Sequence, residues 1–361
     1  MKRLFNTVVI IMLFPALLIA GGDKFKGKYT KEKTLKKEYT VNADARVSID
    51  NTYGNVDVTT WDENRVVIEV LIRTNGNNEE KVQKKLDDID VDFSGSASAV
   101  SAETMFNGKK NSWNWWGGKN NNVSMEINYT VKMPVTNSVD LSNDYGAINL
   151  NRLEGRANIS CDYGQLNIGE LMGDNNDLDF DYTKNSTITY MKTGSISADY
   201  SAFTLERTEA IDLSADYTKS EIQQANTVIY SCDYGKLSIG QASKIEGEGD
   251  YIPLRIGTLN GDLVVNADYG SIHVDRVSAS GGDINIDSDY AGIKIGFDSG
   301  YSFDFDLDLR YASLKGEEEV TVMHSNKENS RRSYKGYHGQ QNSGNTIMID
   351  SEYGSVTFYR N

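Results

Sequence analysis

Residues 196–205 read ISADYSAFTL, and residues 265–274 read VNADYGSIHV. In both segments, small or apolar residues alternate with polar ones up to the tyrosine, and the alternation slips by one residue just after it. Alternation with period 2 is typical of a β-strand, so the slip predicts a corner between two strands. Glycine or a small residue after the tyrosine suits such a corner, and we assign the bend to that residue.

The same Asp-Tyr corner recurs along most of the chain. Its tyrosines are separated by 17 to 21 residues, which is the length of one coil of a β-solenoid. Neighbouring coils of a solenoid pair as parallel strands about 4.8 Å apart. Two further corners, at Tyr53 and Tyr353, carry the same turn near the two ends of the chain. The repeating tyrosines are Tyr145, Tyr163, Tyr182, Tyr200, Tyr217, Tyr234, Tyr251, Tyr269, Tyr290 and Tyr311.

These patterns predict an all-β protein whose main part, residues 136–361, is a single-stranded parallel β-helix. Residues 21–135 are predicted to form a β-rich N-terminal cap, because the open end of a solenoid exposes its core. Within the cap, residues 77–89 are expected to form one short helix with Val82, Leu86 and Ile89 on one face. Residues 324–345 are polar and are interpreted as a mobile insertion.

The first 20 residues have the pattern of a cleaved secretory signal. Lys2 and Arg3 precede the apolar run VVIIMLFPALLIA, which ends at Ala20 before two glycines. The protein is therefore expected in the periplasm or at the cell surface, with no membrane span after cleavage. The formal net charge of −15 argues against nucleic acid and acidic polysaccharide as partners, since both require a basic surface.

Both cysteines lie in identical CDYG segments, at Cys161 and Cys232. A reactive thiol, a metal ligand and a disulfide are the chemical alternatives. Other coils carry alanine or serine at the same position, which predicts a small, buried and inert side chain. Four coils would separate the two cysteines by about 19 Å. A disulfide needs Cα atoms within about 7 Å, so this spacing argues against a bridge.

The tyrosines and the preceding aspartates are each expected to stack from coil to coil. We expect the tyrosine ladder to face inward and to be structural; an outward stripe that binds a glycan is the alternative. Outward carboxylates about 5 Å apart repel each other by about 1 kcal/mol per pair in water. Asx-type bonds at each corner are the expected compensation, and bound Ca²⁺ is the alternative. Arg310 replaces the aspartate in the tenth coil and is expected to pair with Asp289.

The segment NSWNWWGGKNNN, residues 111–122, does not repeat. Trp113, Trp115 and Trp116 lie in it, either as a hydrophobic plug over the cap or as an aromatic contact with a glycan, a partner or a membrane surface. We take these three tryptophans as the candidate contact site. His273, His324 and His338 have no evident partners, and the sequence predicts neither a metal site nor a cofactor.

Three segments together resemble a known family. GNVDVTTW (54–61), YTVKMPV (129–135) and SVDLSNDYGAINL (138–150), followed by the repeated corners, are similar to the Gram-negative envelope proteins called putative adhesins, close to head-GIN-domain proteins. The resemblance covers nearly the whole chain after the signal. It implies a right-handed β-solenoid outside the cytoplasm.

Two classes of function follow from these observations. The first is a non-enzymatic, adhesin-like envelope protein whose solenoid surface or Trp-rich loop binds a glycan, a cell-wall component or an envelope protein. The second is a carbohydrate-active enzyme, a polysaccharide lyase or hydrolase on a parallel β-helix. An enzyme needs a unique cluster of catalytic groups, whereas these acids repeat coil after coil, so we expect no enzyme. The oligomeric state is left open by the sequence.

Overall fold

The computed structural model describes residues 25–107 and 123–361. The prediction of an all-β protein is confirmed, since 68% of the described residues are strand and these residues contain one α-helix. The strands pair in mixed fashion, with both parallel and antiparallel neighbours. The chain divides into two compact units, Met1–Gly173 and Asp174–Asn361. In the described ranges, every helix falls short of the length and apolarity that crossing a membrane requires.

The first unit contains eleven of the strands and the helix. The helix, α1 (Glu79–Asp87), begins at Asn78, whose side chain accepts the backbone N–H of Lys81, and its buried face carries Val82 and Leu86. The predicted helix is therefore confirmed, with Ile89 lying instead in the next strand. The strands are β1 Tyr29–Thr40, β2 Arg46–Thr52, β3 Val56–Trp61, β4 Arg65–Gly76, β5 Ile89–Gly95, β6 Ala99–Phe106, β7 Val123–Pro134, β8 Ser138–Asp144, β9 Ala147–Leu153, β10 Ala157–Asp162 and β11 Gln165–Leu171.

Two kinds of pairing build the first unit. Strands β1, β4 and β7 form an antiparallel sheet with α1 against it. Parallel pairs make up most of the rest: β3 pairs with β7 and β9, and β2 pairs with β6 and β8, whereas β5 and β6 pair antiparallel. The strands on either side of Tyr145 thus pair with the strands on either side of both Tyr53 and Tyr163.

The second unit consists of the remaining strands and one 3₁₀ turn, Glu317–Glu319. The strands are β12 Asn176–Asp179, β13 Ser186–Ser197, β14 Ala202–Ser214, β15 Lys219–Ser231, β16 Lys236–Glu248, β17 Pro253–Asp268, β18 Ser271–Val277, β19 Ile284–Asp289, β20 Gly292–Phe297, β21 Phe303–Arg310, β22 Leu314–Lys315, β23 Thr321–Glu328, β24 Arg331–His338, β25 Thr346–Glu352 and β26 Val356–Arg360.

The register of the parallel pairs repeats the sequence period. Ala202 lies opposite Lys219, and Lys219 lies opposite Lys236, an offset of 17 residues each time. Leu263 lies opposite Ile284, an offset of 21 residues. The corner tyrosines that these strands flank therefore lie beside one another, because the strands on both sides of each tyrosine are in register.

The C-terminal strands depart from sequence order. Strand β25 pairs in parallel with β19 on one side and with β21 on the other, so the segment around Tyr353 lies between the coils of Tyr290 and Tyr311. Strand β26 likewise pairs with both β20 and β22. The corner at Tyr353 is near the end of the sequence but lies between two earlier corners in the structure.

The polar segment 324–345 is more ordered than expected. Most of it lies in β23 and β24, which form an antiparallel hairpin, and β24 pairs with β21 along eight residues. The segment that we interpreted as an insertion is therefore mostly a paired hairpin. Its polarity reflects a ribbon at the end of the stack, where β23 has both faces exposed.

Alternate residues of the strands fill the core. Residues two positions before the tyrosines are buried, among them Ala198, Ala215, Ala267 and Ser288, as the alternation predicts. In the last coils the core becomes aromatic: the ring of Phe303 contacts those of Phe297 and Phe358 with centroids 5.2 and 5.9 Å apart.

Candidate functional site: a stripe of outward tyrosines

Every corner tyrosine has left-handed backbone. Its φ lies between 51° and 70° in all twelve copies, whereas the following glycines have ordinary φ values. The bend thus belongs to the tyrosine, and our assignment of it to the next residue is wrong. Left-handed backbone costs a non-glycine residue about 1–2 kcal/mol, and asparagine and glycine adopt it more readily. The twelve are Tyr53, Tyr145, Tyr163, Tyr182, Tyr200, Tyr217, Tyr234, Tyr251, Tyr269, Tyr290, Tyr311 and Tyr353.

The left-handed residue also reverses the predicted direction of the ring. We expected an inward ladder because the tyrosine shares strand parity with the buried residue two positions earlier. A left-handed residue interrupts that parity, and the rings point outward. The nine corner tyrosines of the second unit are 46–61% exposed. We call these nine the tyrosine stripe, in spatial order Tyr182, Tyr200, Tyr217, Tyr234, Tyr251, Tyr269, Tyr290, Tyr353 and Tyr311.

Neighbouring rings of the stripe lie nearly parallel. Their centroids are 4.6–5.1 Å apart, with interplanar angles of 9° or less. Each inner ring therefore has a neighbour on both faces, and its edge and hydroxyl point toward solvent. Such contacts contribute about 0.5–1.5 kcal/mol per pair beyond buried area, which offsets the backbone cost. In the first unit, Tyr53, Tyr145 and Tyr163 stack at 5.2 Å in the same way.

The residue after the tyrosine lies close to the preceding coil. A Cβ on Gly146 would overlap the carbonyl oxygen of Gly54, and one on Gly235 would overlap that of Thr218. Where the sequence has a hydroxyl instead, it bonds to a backbone carbonyl of the preceding coil: the hydroxyl of Thr218 donates to the carbonyl of Ala198 at 2.8 Å. The close approach explains why these positions hold glycine or small residues in most coils.

The aspartates form hydrogen bonds between coils. The carboxylate of Asp199 accepts the backbone N–H of Asp216 at 3.1 Å, that of Asp216 accepts from Asp233 at 3.0 Å, and that of Asp233 accepts from Asp250 at 2.7 Å. We expected each carboxylate to bond within its own corner, and the structure corrects this. The side chain replaces the backbone carbonyl that a continuous strand would offer to the next coil.

The ionisation of these groups follows from their surroundings. Burial raises the pKa of Tyr200, Tyr251 and Tyr290 above its ordinary value, and the neighbouring phenols and carboxylates raise it further. In the first unit, burial raises the pKa of Asp144, with the charges of Asp162 and Asp50 adding to the effect. Tyr200, Tyr251 and Tyr290 are therefore protonated and uncharged at neutral pH.

Arg310 has a different partner from the one expected. Its guanidinium lies 3.2 Å from the carboxylate of Glu352 and 4.0 Å from that of Asp350. The predicted pair with Asp289 is wrong, because the strand that ends at Glu352 lies between the coils of the two residues.

Both cysteines are free and buried, as predicted. Burial raises the pKa of each thiol to about 12, so the thiolate is scarce at neutral pH. The thiol of Cys161 donates to the carbonyl of Gly146 at 3.5 Å. Asn143, at the equivalent position one coil earlier, donates to the carbonyl of Gly54 at 2.9 Å. The thiol is thus a weak structural donor at this position.

The other predicted site residues are distributed as follows. Trp113, Trp115 and Trp116 lie outside the described residues. His324 is exposed on β23. His338 forms a 2.8 Å hydrogen bond with the carbonyl of Tyr301, so it does have a partner.

His273 also has partners that the sequence did not reveal. Its Nε2 lies 3.1 Å from the hydroxyl of Tyr359 and 3.3 Å from the carboxylate of Asp275, which also binds Arg255 at 3.0 Å. The hydroxyl oxygen of Tyr359 also lies 3.2 Å from the carbonyl oxygen of Val274 and 3.1 Å from that of Asp275, which share its single hydrogen as acceptors. The groups of this cluster therefore bind one another and the backbone.

Two further features of the described residues are the distribution of metal-ligating side chains and a surface hollow beside α1. Within residues 25–107 and 123–361, no three His, Cys, Asp or Glu side chains converge as metal ligands. A surface hollow of about 480 Å³ beside α1 is lined by charged and polar side chains such as Lys31, Glu79 and Asp87. Ligand pockets are usually lined by apolar side chains, so we do not assign this hollow a ligand.

The fold and the stripe define a class: an all-β protein of stacked parallel strands with an exposed row of tyrosines. No protein-family model matches the chain, and no curated protein matches it. The chain is similar to a "putative adhesin" structure from Parabacteroides distasonis ATCC 8503, at 12% identity and a TM-score of 0.38, covering 75% of this chain and 98% of that chain.

Two further solved structures show comparable likeness. A "putative adhesin" from Parabacteroides merdae ATCC 43184 is 10% identical, with a TM-score of 0.36, covering 72% of this chain and 95% of that chain. A "Putative lipid binding protein" from Parabacteroides distasonis ATCC 8503 is 10% identical, with a TM-score of 0.31, covering 90% and 96%. At these identities and TM-scores the likenesses carry no argument about function.

Proposed function

We propose that this is a non-enzymatic, adhesin-like protein of the bacterial envelope that binds a partner through the tyrosine stripe. In this proposal the parallel pairs are coils of a right-handed β-solenoid, which displays one tyrosine per coil. The observation that carries the proposal is the exposure of nine stacked tyrosines in left-handed backbone.

The backbone of these corners supports a role in binding. Asparagine or glycine would form these left-handed corners at a lower backbone cost, so the backbone conformation by itself does not require a tyrosine. The chain instead keeps a large ring at every corner, with about half of its surface exposed. Strained residues with exposed aromatic side chains are typical of binding surfaces.

The orientation of the rings favours a protein partner over a glycan at the stripe. A sugar stacks on the face of an aromatic ring, but inner rings such as Tyr217 and Tyr234 have both faces covered by their neighbours. What remains is a row of ring edges and hydroxyls. Tyrosines of this kind are enriched in protein–protein interfaces, where the ring packs and the hydroxyl forms hydrogen bonds.

The remaining parts of the proposal rest on the sequence. Residues 1–20 support export, because a charged start precedes a short apolar run that ends in small residues. The loop 111–122, with Trp113, Trp115 and Trp116, is a second candidate contact and the better one for a glycan, since its tryptophans do not belong to a stack of repeats.

The triple variant Tyr217→Asn, Tyr234→Asn and Tyr251→Asn is expected to weaken partner binding at least about tenfold, because hot-spot aromatic residues dominate interface energy. Asparagine accepts left-handed backbone, so the corners keep their shape. Binding would be measured on immobilised envelope proteins and, in parallel, on a glycan array. The matched control is Gln223→Ser with Gln224→Ser, two exposed changes on β15 outside the stripe.

Three outcomes decide the proposal. Loss of protein binding in the tyrosine variant alone, with unchanged far-UV circular dichroism, supports it. Wild-type binding by that variant, together with loss in Trp113→Ala, Trp115→Ala and Trp116→Ala, would move the site to the loop. Turnover of a polysaccharide by the wild-type protein would replace the proposal with the enzyme alternative.

A further inference from the structure

The two sides of the tyrosine stripe differ in charge. The five residues before each of the nine tyrosines include 17 acidic residues and one basic residue. The four residues after each tyrosine include six basic residues and one acidic residue. Each tyrosine lies at the corner between its two strands, so the acidic residues lie along one side of the stripe and the basic residues along the other.

The charges nearest the middle of the stripe form no ion pair with another described residue. Lys219 and Lys236 are both exposed and lie opposite each other on neighbouring strands. Among the described residues neither forms an ion pair, nor do Asp216 and Asp233 on the other side. Each of these aspartates gives an oxygen to a backbone N–H of the next coil, which leaves its second carboxylate oxygen available.

We propose that the tyrosine stripe is the contact surface of a homodimer, in which a second copy of this chain lies against it side by side and in the same direction. A twofold axis parallel to the stripe places the acidic side of one copy against the basic side of the other. An axis across the stripe would place acid against acid. The separation of acidic and basic residues on the two sides of the stripe therefore favours a second copy as the partner, aligned in the same direction.

In the selected arrangement each coil faces the same coil of the second copy. Lys219 then faces Asp216 of the second copy, Lys236 faces its Asp233, and the tyrosine edges meet along the axis. Electrostatic complementarity of this kind selects partner and register, while the buried tyrosines contribute most of the affinity.

The size of the stripe suits a stable dimer. At the strand spacing of a sheet, eight steps extend over about 39 Å. A strip of that length and about 20 Å wide covers roughly 800 Å² on each copy. This equals the surface that each partner usually buries in a specific protein–protein interface. This inference rests on the proposed function, since it names the partner of the same stripe.

Sedimentation equilibrium of the purified protein tests the inference at 150 mM salt, where charges more than about 8 Å apart are largely screened and direct pairs remain. We expect a monomer–dimer equilibrium. Lys219→Glu with Lys236→Glu should raise the dissociation constant at least about tenfold, because acid then faces acid. Ser214→Lys with Ser231→Lys, two exposed changes beside the aspartates, should do the same through basic repulsion.

Sedimentation of a mixture of the two variants is the measurement that decides the inference. Each glutamate of the first variant then faces the lysines introduced in the second, and the native lysines face native aspartates, so the heterodimer should form about as tightly as the wild-type dimer. Wild-type protein that stays monomeric at 100 µM, or variants that dimerise like wild type, would overturn the inference. Binding of an envelope protein by such a monomer would leave the proposed function standing.

Discussion

Replacing Phe358 with alanine is expected to lower the free energy of unfolding of the second unit by about 4 kcal/mol, as is typical of a buried phenylalanine. Phe358 is 1% exposed on β26, and its ring contacts those of Phe297, Phe303 and Phe305 with centroids 5.8–6.2 Å apart. Strand β26 lies between β20 and β22. The lost contacts therefore weaken the packing of β26 against both of these neighbouring strands.

Urea unfolding followed by circular dichroism measures this effect. The matched control is Thr357→Ala, the adjacent residue with its side chain directed away from the core, which should change the free energy by no more than about 0.5 kcal/mol. A Phe358→Ala variant as stable as the control would mean that the C-terminal strand is not inserted between the coils.

Asn143→Ala is expected to destabilise the first unit by about 3 kcal/mol, because buried polar groups left without partners cost about 1–3 kcal/mol each. Asn143 is fully buried, donates to the carbonyl of Gly54 at 2.9 Å and accepts from the side chain of Asn51 at 2.9 Å. Alanine would leave both partners without this bond.

Two further variants make the asparagine prediction specific. Asn158→Ala removes an exposed asparagine of the same unit, whose side chain donates to Asp140 at 2.7 Å, and should cost less than about 1 kcal/mol. Asn143→Cys should recover part of the loss, because Cys161 donates to a glycine carbonyl from the equivalent position. Equal stability of the alanine and wild-type proteins in thermal unfolding would contradict this role.

The repeat could be predicted from the sequence because it depends on local alternation. The period of the tyrosines equals the register offset of the strands, and the small residues before them, including both cysteines, are buried. The short helix could be predicted for the same reason, since Asn78 and the spacing of Val82 and Leu86 are local signals.

The outward direction of the tyrosine side chains could not be predicted from the alternation of residues along the strand alone. The slip after the tyrosine showed that the strand is interrupted, but glycine is the usual residue for left-handed backbone, so the bend was assigned one position too late. The stacking of neighbouring rings, which helps to support the strained conformation, exists only once the coils are paired.

The order of the last coils depends on contacts distant in sequence. Nothing local in SEYG distinguishes a strand inserted between two coils from one added at the end. The same limit applies to the site: the partners of Arg310 and His273 come from segments 42 and 86 residues away. The charge difference between the two sides of the stripe could be read from the sequence. It predicts a contact surface only once the tyrosines are known to face outward.

Nitration of tyrosines with tetranitromethane, read by peptide mass spectrometry on dilute protein, tests the central claim most directly. The account predicts modification of stripe tyrosines such as Tyr200, Tyr217 and Tyr234, which are 50% exposed. It predicts protection of Tyr230 and Tyr301, which are 3% and 0% exposed. Protection of the stripe in dilute monomer, with modification of the two buried tyrosines, would show that the ladder faces inward and would contradict the account.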